Sequence, residues 1–186
     1  LKTYHKEEFI ASTMSTEMTN TNKLREFVDE LKRLKVKVIR PEINNCFSDF
    51  RTKENTILYG LGAIKNVGSE AISNLIKERE KNGKFKSLMD FIRRVNPKDI
   101  NKLQLEGLVK SGAFDNLEKN RKAIFETIPK LIQLNKIYHE EKLSKQSNLF
   151  ESGEETKIEK LTLNTNESWS NKEFLSEEFK SLGFYI

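Results

Sequence analysis

The chain has 186 residues, 36% of them hydrophobic and 33% charged, which suffices for one medium domain or two small ones and is too apolar for a chain that stays unfolded. Its single cysteine, Cys46, excludes an internal disulfide and fits a reducing compartment, and no run of about 18 apolar residues is present to span a membrane as a helix. The formal charge of +5 is unevenly placed: residues 60–110 hold eleven Lys and Arg against six Asp and Glu, whereas residues 146–186 hold four Lys against eight Glu, an asymmetry that points to an anionic partner for the middle of the chain.

The opening "LKTYHKEEFI" has no starting Met and no apolar signal core, and it begins inside an amphipathic pattern, as a piece of a longer protein would. Residues 1–19 carry helical spacing through Phe9, Ile10, Met14 and Met18. Asn20 or Thr21 caps a second helix whose stripe is Leu24, Phe27, Val28 and Leu31. "VKVI" alternates like a strand that Pro41 ends, "PEINNCFSDF" reads as loop, and "TILYGL" as a second short strand. Ser69 to Lys81 is helical, with Ala71, Ile72, Leu75 and Ile76 on one face and Gly83 as its stop. Ser87 caps a short helix over "LMDFIRRV". "NPKDINKLQLEGLVKSG" reads as one helix, capped by Asn96, with Pro97 in the first turn and Gly112 at its end. From Lys119 to about Lys145 a long helical pattern follows, which Pro129 is expected to kink or divide. An acidic linker, "ESGEETKIEK", precedes a last helical stretch, "NKEFLSEEFKSLGFYI". The expected class is therefore mainly α with a few short strands.

One corner carries most of the functional signal. In "AIKNVGSEA" a small apolar run meets Lys65, then Asn66-Val67-Gly68, then Ser69 at a helix start. A helix, a tight corner and a second helix make the helix-hairpin-helix pattern. Gly68 is free to take positive φ, Asn66 tolerates it, and Val67 would plug inward. The unpaired N–H groups of the corner and of the next helix's first turn would then face outward and suit a phosphate oxygen, with Lys65 and Lys77 adding charge. Such a contact reads no base. A plain helix–helix turn has the same spacing. A second element, "LEGLVKSGAFDNL", repeats the design 44 positions on, with Lys110, Ser111 and Gly112 at its corner. A helical bundle containing such a tandem could grip both strands of a duplex.

The stretches "YGLGAIKNVGSEAI", "LEGLVKSGAFD", "PEIN" and "FLSEEFKSLGFYI" resemble the bacterial replicative DNA polymerase III alpha subunit over nearly the whole chain. The resemblance implies an internal piece. Residues 1–55 would end the fingers region, residues 56–150 would hold the hairpin pair and the sliding-clamp-binding domain, and residues 151–186 would lead into an oligonucleotide-binding fold. Where the family carries Gly, this sequence has Asn66. Within that likeness, Gln146-Ser147-Asn148-Leu149-Phe150 is similar to the peptide by which bacterial proteins bind the sliding clamp: a Gln amide able to donate and accept, then two adjacent apolar side chains for two subpockets. Leu149 and Phe150 could instead staple a helix end onto the core.

The implied function is sequence-independent binding of double-stranded DNA and clamp tethering in the cytoplasm, beside other replicase subunits and away from membranes. No paired carboxylates for two-metal nucleotidyl transfer are readable. The resemblance places them upstream, so no cofactor is expected here, although the parent polymerase would use Mg. Two rivals stay open: a helix-hairpin-helix repair enzyme, and a helical adaptor that touches no DNA. Cys46, His5, His139 and Trp169 read as packed or surface residues, and Arg93-Arg94 as helix surface that could extend the basic face.

Overall fold

The computed structural model describes residues 6–147 and 161–186. The elements run α1 (Lys6–Thr16), α2 (Thr21–Arg33), β1 (Lys37–Ile39), β2 (Arg51–Lys53), β3 (Thr56–Leu58), α3 (Ser69–Asn82), α4 (Leu88–Arg94), α5 (Lys102–Ser111), α6 (Arg121–Ser147) and α7 (Asn171–Leu182), with single 3-10 turns at Leu61–Ala63 and Pro97–Asp99. The class is mainly α with a small sheet, as composition and periodicity led us to expect.

Local chemistry sets most boundaries. Asn20 Oδ1 accepts from Lys23 N at the start of α2, and the α2 stripe of Leu24, Val28 and Leu31 is buried. Ser87 caps α4, and Ser170 with Glu173 forms a reciprocal capping box on α7. Gly83 and Gly183, both at positive φ, end α3 and α7.

Two expectations are corrected, and one strand that no expectation covered is added. Residues 41–50 are loop, as expected, and the added strand follows them directly. Arg51–Lys53 pairs antiparallel with β3, which also pairs parallel with β1, in the order β1-β3-β2. The β2–β3 turn is made by Glu54 and Asn55 at φ 48° and 61°. Turns of this kind favour Gly, and a Glu-Asn pair carries no such signal. The reading of residues 96–112 as one helix fails. Asn96 caps only the 3-10 turn, Ile100 is extended at φ −130° and buried, and Asn101 caps α5 afresh by accepting from Gln104 N. Finally, Pro129 does not divide α6. It lies on the exposed face, where its ring displaces no core side chain.

One continuous core runs from Ile10 on α1 to Phe184 after α7. It crosses the boundary expected near residue 55, because the sheet pairs β1 and β2 with β3. Phe85, Phe91 and Phe114 form an edge-to-face chain from α4 to the end of α5, with centroids 5.1 and 5.0 Å apart. Asn135 on α6 is buried and donates to Ile92 O and Val95 O at 2.7 and 2.8 Å, which fixes α6 across the end of α4. Arg79 on α3 is buried too, and its Nη1 donates to Ile43 O and Cys46 O at 2.8 and 2.7 Å. A basic residue in a helical pattern looks like solvent-facing charge from sequence alone; here it clamps a loop.

Candidate nucleic-acid interface

The first corner differs in detail from the sequence expectation. The element before it is the 3-10 turn Leu61–Ala63, entered directly from β3, not a full helix. Ile64 and Val67 are buried, so Val67 does plug inward. The positive φ falls on Asn66, at 64°, while Gly68 is extended at φ −76°, ψ 134°. Asn66 thus takes the left-handed conformation that its short polar side chain tolerates. Gly68 is small for another reason: a Cβ there would lie 3.3 Å from Gln104 Nε2 on α5. Gly107 on α5 permits the closest approach. A Cβ at Gly107 would stand 2.7 Å from Lys65 O and 3.1 Å from Val67 Cγ2.

Two corner amides are used internally: Lys65 N donates to Ser181 O at 2.9 Å and Val67 N to Ile64 O at 3.2 Å. Among the described residues no hydrogen bond leaves the N–H groups of Ser69, Glu70 and Ala71, the first turn of α3. Ser69 and Glu70 are exposed, as are Lys65, Asn66, Gly68 and, two turns on, Lys77. Gly68 offers the helix no side-chain cap. Three oriented donors at the positive end of a 14-residue helix are therefore left without a partner, two of them on exposed residues and the third on buried Ala71. Glu70 sits among them and opposes an anion there.

The second corner is closed. Gly112 ends α5 at φ 86°, and its N–H and that of Ala113 return to Leu108 and Val109 carbonyls. Ser111 is buried, with its hydroxyl on Leu108 O at 3.0 Å. Arg121 covers the corner so tightly that a Cβ on Gly112 would run into its guanidinium. That guanidinium donates to Lys110 O at 2.9 Å and pairs with Asp115 at 2.6 Å and Glu178 at 3.0 Å, over the Phe174 ring. Lys110 Nζ lies 2.9 Å from Glu177 and 5.0 Å from the Phe125 ring centroid. At the start of α6, Asn120 Oδ1 accepts from Ala123 N. Acidic α7 thus roofs the corner that Lys110, Ser111 and Gly112 were expected to present. The sequence showed an acidic end but not where it folds.

Of the pentapeptide, Gln146 and Ser147 close α6, and Asn148, Leu149 and Phe150 lie outside the described residues, as does His5. Cys46 is buried, and burial pushes its thiol up to about 11. Arg94 is held by Glu78 at 3.0 Å and Asp90 at 3.1 Å. Among the described residues no group of three His, Cys, Asp or Glu side chains is placed to hold a metal ion.

A helix-hairpin-helix motif family matches residues 35–124, which include both corners. Bacterial relatives match the chain far more widely. The DNA polymerase III subunit alpha of Borreliella burgdorferi is 40% identical over all of this chain. That of Caulobacter vibrioides is 35% identical over 96% of it, and that of Xylella fastidiosa 38% identical over all of it. End to end, the chain corresponds to one segment of the DNA polymerase III alpha subunit. It spans 16% of the length of these relatives. Within the alpha-subunit segment, the open corner Lys65–Ser69 and the roofed corner Lys110–Gly112 both lie inside the matched hairpin region. No helix of the described residues is long and apolar enough to cross a membrane.

Proposed function

We propose that this chain holds the sugar–phosphate backbone of duplex DNA, without reading sequence, within a cytoplasmic bacterial replicative polymerase, and that Gln146–Phe150 tethers it to the sliding clamp. The observation that carries the DNA reading is the helix start whose exposed residues Ser69 and Glu70 keep unpaired N–H donors, inside a region matched by a helix-hairpin-helix family. A phosphate oxygen accepts there, Lys65 and Lys77 contribute screened attraction, and no base edge is reached. Binding is therefore one-sided: the first corner makes the backbone contact, and Lys110, Ser111 and Gly112 support it from beneath α7. The clamp reading rests on the pentapeptide's chemistry and on the likeness to alpha subunits. Double-stranded DNA, the clamp and other replicase subunits are the partners of this reading. On the likeness to alpha subunits, the Mg ions of nucleotidyl transfer would be held elsewhere in the polymerase.

Fluorescence anisotropy with two unrelated duplexes across a salt series tests the DNA reading. Affinity should be equal for both and fall steeply with salt, because bound cations release counterions. Ser69→Pro removes one donor at the first helical position, where proline is well tolerated, and the preceding Gly68 is already extended. It should weaken binding about tenfold, the value of one charge-assisted hydrogen bond, and leave melting unchanged. Sequence preference, or an unaffected Ser69→Pro variant, would remove the corner from the interface.

A further inference from the structure

Three surface openings adjoin one another beyond the first corner. One of about 430 Å³ lies beside Gly68, Ala71 and Gln104. It shares Asn74, Asn96 and Asp99 with a second of about 310 Å³ between α3 and the end of α4. The second shares Asn96 and His139 with a third of about 460 Å³, which reaches Lys142 on α6. Together they make a trough with α3 as one wall and the Pro97–Asp99 turn and α6 as the other.

Its lining is polar and unevenly satisfied. Asn74 Nδ2 donates to Asp99 Oδ1 at 2.9 Å. Gln104 Oε1 and His139 Nε2 are enclosed and have no hydrogen-bond partner. Lys77, Lys81, Lys98 and Lys142 stand exposed along it, none in an ion pair among the described residues. Its acids are partly committed: Glu78 to Arg94, Asp99 to Asn74, with Glu70 unpaired at the corner end. Four uncommitted cations along a walled polar channel suit a chain of regularly spaced negative charges better than any compact anion.

We propose that the trough continues the backbone track and takes an unpaired nucleic-acid strand, which leaves the open corner, passes Lys77 and Lys81, and exits between Lys98 and Lys142. The inference rests on the corner reading, since the strand enters there. A channel walled on both sides admits one sugar–phosphate chain, whereas the corner, a convex turn, meets a duplex equally well.

The test titrates the full chain with a single strand and with a blunt duplex of the same length, over a salt series. Four proteins are compared: unaltered, Lys98→Glu with Lys142→Glu, Ser69→Pro, and Lys37→Glu with Lys53→Glu as an equal charge change on the sheet. All four lysines are exposed, and circular dichroism checks folding. The trough variant should lose about tenfold or more in single-strand affinity, with a salt slope shallower by about 1.4, two contacts at about 0.7 each. Its duplex affinity should change no more than that of the sheet variant. Equal losses in trough and sheet variants would show only net charge at work and overturn the proposal. So would a loss confined to the duplex. If Ser69→Pro still weakens duplex binding in either case, the corner reading stands without the trough. If the trough variant matches the sheet control and Ser69→Pro matches the unaltered protein, both fall.

Discussion

Gly107 stands in the middle of α5, where glycine is a poor helix former. Its place is explained by the corner packed on it, 2.7 Å from where a Cβ would point. Gly107→Ala should therefore destabilise, despite its better helix propensity, by about 1 to 3 kcal/mol as α5 is pushed off Lys65 O and Val67. Chemical denaturation checks this, and a stabilised variant would show that the contact yields freely. Asn66 offers the complementary case. At φ 64° glycine is unstrained, so Asn66→Gly should fold with near-equal stability. Asn66→Val should lose about 1 to 2 kcal/mol, the cost of a left-handed β-branched residue. Gly68 is not such a position, since its φ is −76°. A substitution there acts on Gln104 and on access to the donors, not through backbone strain.

At the scale of elements, α7 braces both hairpins. Its end accepts Lys65 N through Ser181 O, and its acidic face meets Arg121 and Lys110. Arg121 and Glu178 are both almost fully buried, 2% and 1% exposed. Losing Arg121 leaves the buried Glu178 carboxylate with only Arg40, 3.7 Å away, so Arg121→Met should cost about 3 kcal/mol. Arg121→Met with Glu178→Met should cost much less, because an apolar pair carries no desolvation penalty. A double-mutant cycle by thermal melting measures the difference. Glu177 adds a pH dependence. Partial burial raises its carboxyl, but hydrogen bonds from Lys180 and Lys110 outweigh this and hold it below the usual 4.5. A carboxylate depressed in the fold stabilises at pH above its unfolded value, and that contribution disappears as pH falls through the folded value. Melting temperature should drop on acidification below about pH 4.5, and the drop should be smaller in Glu177→Gln.

Across the whole molecule, DNA binding and clamp tethering should be separable. Gln146→Ala with Phe150→Ala should abolish binding to purified clamp in calorimetry, since each apolar anchor is worth about 1.5 to 3 kcal/mol and one or two anchors dominate such contacts. Duplex affinity and melting temperature should stay as they were; a lowered melting temperature would make the pair structural. Much of this molecule was legible in one dimension. Caps are local chemistry, so Asn20, Ser87 and the stops at Gly83 and Gly112 could be read from neighbours in sequence. The corner at Asn66-Val67-Gly68 was found because turn residues and an inward valine are also local, though the positive φ fell on the other permissive residue. The strand Arg51–Lys53 escaped notice, because three residues show no periodicity and its pairing is made by β3. The break at Ile100 escaped it as well, since burial of one side chain outweighed a continuous helical pattern. The sequence by itself determined the mainly helical class, the two corners and the likeness to DNA polymerase III alpha subunits. Only the tertiary structure decided which corner is open, because α7 lies about sixty residues from Lys110 along the chain and its carboxylates reach Lys110 and Arg121 through packing that no local pattern encodes.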